Sequence, residues 1–256
     1  MNRVRETPTS EGVTRVRGAA PAGATDPQSA ARAVREMFTA IAPRYDLLNH
    51  LLSANIDKLW WRRTARNFAP ILSRPNARVL DLCCGTGDMA FALHRQGSKS
   101  RITGADFSHA MLKLASAKAR RNNVLKWIEA DALRLPFPDE SLDLVTSAFG
   151  FRNLADYDAG LREIWRVLKH GGEVGILEFS EPNGIVGKLY KFYFRRVLPR
   201  VGRLISRTSA YSYLPASVER FPAPPELLAS MQAVGFQNVS WTPYTFGIAG
   251  LFRGMK

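Results

Sequence analysis

The sequence predicts an α/β fold: a doubly wound, mostly parallel sheet of seven strands that closes on an antiparallel hairpin. Three observations predict it. Short β-type runs alternate with helical runs from residue 76 to about residue 180, as βαβ units require. A Gly-rich turn follows the first of these runs. Two more β-type runs near the C-terminus, 236–244 and 247–255, have almost nothing between them, and so short a joint permits only antiparallel pairing.

The elements follow in order. The chain has 256 residues, 46% apolar and 23% charged, which excludes a disordered or fibrous protein. Residues 1–28 are rich in Ala, Gly, Pro, Thr and Arg without an apolar period, and are expected as a mobile tail. Glu6, Glu11 and Asp26 weigh against an organellar targeting peptide there. Residues 29–256 are expected as one domain. In 30–72, Val34, Phe38, Ile41, Leu48 and Leu51 fall at helical spacing and Pro43 interrupts them, so two or three short helices are expected as a lid. The strands expected in the 76–180 core are Arg78–Cys84, Arg101–Asp106, Leu125–Asp131, Leu142–Ala148 and Gly172–Phe179, with helices at 109–121 and 156–168 between them. A helix at 226–234 precedes the hairpin.

Lys plus Arg number 36 and Asp plus Glu 22, for a net charge of +14; such an excess suits an anionic partner. Cys83 and Cys84, the two cysteines, are adjacent. They form no disulfide framework and point to a reducing compartment. No apolar run reaches the roughly 20 residues that span a bilayer. The four histidines have no metal-ligand spacing, and no metal is expected.

The first motif is Asp81-x-x-x-Gly85-x-Gly87 at a strand-to-helix turn. Glycines there let the backbone approach a ligand at the carboxyl edge of the sheet. Asp106 ends the next strand, where a carboxylate can accept both hydroxyls of a ribose; capping the helix near Ser108 is the alternative. Asp131 and Ala132 end the third strand, where Asp131 can take an exocyclic amine and the backbone an adenine edge; a simple turn before Pro136 is the alternative. Ser147 ends the fourth.

The runs Val-Leu-Asp-Leu-Cys-Cys-Gly-Thr-Gly-Asp, Ala-Asp-Phe-Ser-His-Ala-Met-Leu, Ala-Asp-Ala-Leu-Arg-Leu-Pro-Phe-Pro-Asp and Val-Leu-Lys-His-Gly-Gly resemble the class I S-adenosylmethionine-dependent methyltransferases, a Rossmann-like fold. Ile-Ala-Pro-Arg-Tyr-Asp-Leu-Leu-Asn (41–49), Phe-Gly-Phe-Arg-Asn (149–153), Leu-Glu-Phe-Ser-Glu-Pro (177–182) and Tyr-Ser-Tyr-Leu-Pro-Ala-Ser (211–217) are similar to the C-methyltransferases of menaquinone and ubiquinone biosynthesis. The likeness spans about residues 34–256. It implies S-adenosyl-L-methionine as cofactor, held at Asp81, Gly85, Thr86, Gly87, Asp106, Asp131, Ala132 and Ser147. It departs from the family pattern at Phe151, where Leu is frequent, and at His170, where Pro is.

Ring-carbon methylation of a quinol needs an aligned donor, excluded water, a proton acceptor and a group near the developing phenolate. Arg152 and Asn153 follow strand four. Arg152 is expected to stabilise the phenolate and Asn153 to orient the ring oxygen; pairing of Arg152 with a helix carboxylate such as Asp156 is the alternative. Tyr45 is expected to relay a proton or stack on the ring, with core packing as its alternative. Asp46 is expected as base, and Glu178 is a weaker candidate. Between Glu181 and Glu219 there is no acid, while Lys188, Lys191, Arg195, Arg196, Arg200, Arg203 and Arg207 alternate with apolar and aromatic residues. This basic amphipathic stretch, 185–218, suits an anionic membrane surface; a helix pair with a solvated basic face is its alternative.

The function this implies is methylation of a polyprenylated quinol, demethylmenaquinol first and 2-methoxy-6-polyprenyl-1,4-benzoquinol second. The enzyme is expected in the cytoplasm, peripheral to the inner face of the membrane, with no nucleic-acid partner; a homodimer stays open. An RNA-modifying or RNA-binding protein and a non-catalytic scaffold of quinone synthesis are the rivals.

Overall fold

The computed structural model describes residues 17–21, 23–42, 55–119, 125–180, 182, 187 and 210–256, the side chains of 210–212 and 214 excepted. Tyr45, Asp46, residues 1–16 of the expected tail and most of the basic stretch 185–218 lie outside them.

Three helices come first: α1 (Pro27–Ile41), α2 (Ile56–Asn67) and α3 (Ala69–Leu72). The Asp26 side chain accepts the Ser29 backbone N–H at 2.8 Å while Ser29 reaches back to the Asp26 N–H at 3.1 Å. This reciprocal cap, with Pro27 beginning the helix, starts α1. The core follows as β1 (Arg78–Leu82), α4 (Asp88–Gln96), β2 (Arg101–Asp106), α5 (His109–Ala119), β3 (Lys126–Glu129), β4 (Leu142–Ala148), α6 (Tyr157–Val167) and β5 (Leu168–Phe179). The chain ends with α7 (Ala210–Arg220), α8 (Pro224–Val234), β6 (Gln237–Tyr244) and β7 (Ala249–Met255).

The seven strands form one sheet in the order β3-β2-β1-β4-β5-β7-β6. Pairs among β1 to β5 are parallel, and β7 runs antiparallel to both β5 and β6. The order reverses between β1 and β4, both of which leave the sheet at the same edge. A crevice opens there in folds of this kind.

Both faces are covered, which is why β1 and β4 read as nearly continuous apolar runs. Neighbouring side chains divide between two core clusters. Leu80, Leu82 and Val145 join Leu161, Ile164, Val167 and Met231 on one face. Val79 and Leu144 join Trp60, Phe68, Leu72 and Leu93 on the other. Helix α6 shows the helical counterpart: Tyr157, Leu161, Ile164 and Val167 are buried at three- and four-residue spacing, and Asp156 caps the start by accepting the Ala159 N–H at 2.9 Å.

Most boundaries fall within two residues of expectation, and two differ by more. The tail does not extend to residue 28. The Ala19 N–H donates to the Leu154 carbonyl at 2.7 Å and the Tyr157 N–H to the Arg17 carbonyl at 2.8 Å, so residues 17–21 lie as a strap across the start of α6. Strand β5 begins at Leu168, not Gly172, because Leu168 pairs with Leu142 and the Gly171 N–H reaches the Lys256 carbonyl at 2.8 Å. Among the described residues no helix is long and apolar enough to cross a membrane.

Candidate functional site

The carboxyl ends of β1 to β4 form the floor of a cleft, and α1 forms its roof. After β1 the backbone turns through the left-handed region at Cys83 (φ 55°), Gly85 (φ 54°) and Gly87 (φ 89°). Gly87 needs to be glycine twice over: its φ is positive, and a Cβ there would lie 2.5 Å from the Trp127 ring. Asp106, at the end of β2, ties two of these turns together. Its Oδ2 accepts the Gly85 N–H at 2.8 Å and its Oδ1 the Ser108 N–H at 2.9 Å. After β3, Asp131 Oδ1 accepts the Leu133 N–H at 2.9 Å. After β4, Phe149 (φ 58°) and Gly150 lead into the short turn Phe151–Asn153; a side chain on Gly150 would collide with Cys83.

Helix α1 closes the cleft with Pro27, Gln28, Ala31 and Phe38. It is held by a Thr39–Ser108 hydroxyl contact at 3.1 Å and by an Arg35–Glu129 ion pair. The cleft is lined mainly by apolar side chains with a few polar groups converging on it, as small-molecule sites are.

Of the residues singled out in the sequence, Gly85, Asp106, Asp131, Ala132 and Asn153 line this cleft. Asp81, Thr86, Gly87, Ser147 and Arg152 stand behind the lining. Asp81 is fully buried and accepts the Thr146 hydroxyl at 3.1 Å. The Thr86 hydroxyl donates to Asp88 at 3.3 Å and accepts from Lys118 at 2.9 Å, which turns it along α4. Ser147 is buried, and its hydroxyl has no hydrogen-bond partner among the described residues. Arg152 pairs with Glu178 at 3.0 Å, both side chains being buried, and its Nε donates to Ser217 at 3.3 Å. The expected exposure of Arg152 to a phenolate is therefore corrected: its charge is neutralised by Glu178. Its expected rival partner Asp156 caps α6 instead. Glu178 is correspondingly engaged as an ion-pair partner, not presented as a base.

The roof residues Gln28 and Phe38 and the wall residues Phe107, Met111 and Phe149 also line the cleft, and sequence reasoning misses them. The sequence marks Phe38 only as part of a helical apolar period, which does not say what that face covers. For Phe149 the signals are its place just before the Arg152–Asn153 pair and at the head of the family-like run 149–153.

Burial raises the Asp106 carboxyl to about 6 against the opposing pull of the Ser108 and Gly85 N–H groups. Burial raises Asp81 further, to about 7, with the Thr146 hydroxyl opposing it. Both cysteine thiols are pushed well up by burial, which makes them packing groups and poor nucleophiles.

Residues 25–256 match the model of the ubiE/COQ5 methyltransferase family. The chain is 48% identical over 234 residues to the demethylmenaquinone methyltransferase of Deinococcus radiodurans, covering 90% of this chain and 95% of that one. It is 50% identical over 221 residues to the protein of the same name from Thermus thermophilus, covering 85% and 99%. A ubiquinone/menaquinone biosynthesis C-methyltransferase UbiE from Geotalea daltonii is 45% identical over 228 residues, covering 87% and 96%. Among solved structures, a SAM-dependent methyltransferase from Thermotoga maritima superposes with a TM-score of 0.61 at 20% identity, covering 86% of this chain and 99% of that one. That likeness shows the fold. With the family match spanning nearly the whole chain, this protein belongs to the ubiE/COQ5 methyltransferase family.

Proposed function

We propose that this chain methylates a ring carbon of a polyprenylated quinol, demethylmenaquinol, with S-adenosyl-L-methionine as donor. The observation that carries the reading is that one cleft unites the acid ending β2, the Asp131–Ala132 pair and Asn153 between apolar walls. The relatives at 48 and 50% identity bear the menaquinone name alone, which favours demethylmenaquinol over the methoxy-benzoquinol.

The cleft fits the cofactor by its donor set. Asp106 uses two of a carboxylate's roughly four acceptor positions on backbone N–H groups, and the others suit a ribose diol. Asp131 and the Ala132 backbone suit an adenine edge, and Phe107, Met111 and Leu133 offer apolar contact to its faces. When bound, the cofactor supplies an electrophilic methyl on a sulfonium.

The chain supplies alignment and a dry pocket. The Asn153 carbonyl oxygen accepts the Tyr213 hydroxyl at 3.1 Å, which leaves its amide N–H groups to donate to the ring oxygen as negative charge develops there. Arg152 acts one step back. Paired with Glu178, with the Phe149 carbonyl and with Ser217, it fixes the turn that presents Asn153. The further cofactor contacts expected of Asp81, Thr86, Gly87 and Ser147 become supporting roles around the Gly-rich turn. Tyr45 and Asp46 stand as the proposed proton relay and acceptor. The basic stretch Lys188 to Arg207 is the proposed contact with an anionic leaflet, and charge reversal at Arg195 and Arg196 is expected to weaken vesicle binding.

Labelled S-adenosylmethionine incubated with demethylmenaquinol, with 2-methoxy-6-polyprenyl-1,4-benzoquinol and with total RNA tests the reading. Label is expected in the first. Label in RNA alone overturns the proposal in favour of an RNA methyltransferase, and label in none favours the scaffold.

A further inference from the structure

Helix α2 divides cleanly by burial. Asp57, Trp60, Trp61, Thr64 and Ala65 face inward. Outward stand Ile56 (37% exposed) and Leu59 (54%) among Lys58, Arg62, Arg63 and Arg66. Its one acid is on the buried side, so the exposed face combines aliphatic side chains with four cations and no carboxylate.

The turn joining β6 to β7 lies against this helix. The Trp60 indole N–H donates to the Thr245 hydroxyl at 2.8 Å, and the Arg63 guanidinium sits 4.3 Å over the Tyr244 ring. In that turn Thr245 (φ 44°), Phe246 (φ 57°) and Gly247 (φ 86°) are all left-handed, and Phe246 is 82% exposed. A β-branched residue and a bulky one at positive φ are strained, yet Phe246 gains no burial in return. The turn is tied down by the Ser180 hydroxyl donating to the Gly247 carbonyl at 2.7 Å. It therefore holds a large apolar side chain out in solvent, on a turn packed against a helix whose exposed face carries two aliphatic side chains and four cations.

We propose that the exposed face of α2 and the Thr245–Gly247 turn form a docking surface for an anionic lipid leaflet, with Phe246, Leu59 and Ile56 entering the interface and Lys58, Arg62, Arg63 and Arg66 meeting the headgroups. Charge complementarity selects this occupant: interfacial binding adds buried apolar area to attraction by anionic lipid. Ile56 and Leu59 add aliphatic area that a lipid interface buries and that a nucleic acid, held by phosphate contacts and by stacking on planes such as Phe246, leaves unused. The surface also connects to the cleft. Trp60 lies 5.7 Å from Phe149 and 6.1 Å from Phe179, and these two rings are 4.4 Å apart; Phe149 lines the cleft. These rings pack in contact, so they join α2 to the cleft wall within one core. The docking does not rest on the quinol reading.

Flotation with phosphatidylcholine vesicles, with and without phosphatidylglycerol, tests it. The full chain is expected to float with the anionic vesicles only, and less in high salt. Leu59→Asn with Phe246→Ser is expected to lower binding about tenfold or more, and Lys58→Glu with Arg62→Glu to abolish most of it, while calorimetric binding of S-adenosylmethionine is unchanged. Leu59→Asn alone, on an exposed helix face, serves if the turn variant fails to fold. Equal binding to both vesicle types, no binding, or wild-type binding by the variants overturns the proposal, as does RNA retention on filters without vesicle binding. Flotation needs neither quinol nor methyl donor, so its failure is distinct from a failure of label transfer.

Discussion

Asp106 joins three tasks in one carboxylate: it holds the Gly85 turn, caps the approach to α5 at Ser108 and faces the cleft. Its carboxyl titrates at about 6, so cofactor affinity is expected to fall as pH drops below about 6, when protonation removes acceptor capacity. Asp106→Ala is expected to weaken binding by roughly 5- to 150-fold, the equivalent of about 1–3 kcal/mol for lost hydrogen-bond partners; calorimetry across pH 5 to 8 reads both effects. Asp81 has the opposite consequence for folding. Its carboxyl is raised from 3.8 to about 7 by burial, so its proton is held more tightly in the folded state. The stability it contributes is present in acid and lost as pH rises from 3.8 through about 7. Asp81→Asn is expected to gain stability relative to the parent on going from pH 5 to pH 8, a difference that thermal melting at the two pH values checks.

At the scale of elements, the pair Arg152–Glu178 joins the turn after β4 to β5, and the Ser217 contact adds α7. Arg152→Ala leaves Glu178 buried and unpaired, and is expected to cost about 3–5 kcal/mol in a denaturant titration. The double variant Arg152→Met/Glu178→Leu removes both charges and is expected to cost less than the sum of the single variants. The alternation of strands and helices is legible in the sequence because each strand is covered on both faces and each helix on one, so local patterning reports burial. The bulged start of β5 is not legible. Its pairing with Leu142 and with Lys256 depends on strands distant in sequence. Asp106 and Asp131 are legible because a parallel strand delivers its last residue, or the turn just past it, to the ligand edge. Arg152 misleads because the sequence places it at that edge without showing Glu178 beside it.

For the whole molecule, the strap at residues 17–21 and helix α1 make the N-terminal region part of the site. Truncation before Arg17 is expected to leave cofactor affinity unchanged. Truncation through Pro21 removes the two strap hydrogen bonds to Leu154 and Tyr157 and is expected to weaken it by up to about thirtyfold, at about 1 kcal/mol for each bond; calorimetry on both proteins decides. Local patterning in the chain is enough to specify the sheet, its sense of winding, the antiparallel closing hairpin and the acids at the ligand edge. These follow from short-range periodicity, from Gly and Pro punctuation and from the fixed side-chain alternation of a strand. Long-range packing settles which charges face the cleft and which are cancelled, that α1 is the roof, and that Phe246 stands out beside α2. Those outcomes depend on contacts between residues far apart in the chain, and no local pattern encodes the partner a buried charge will find.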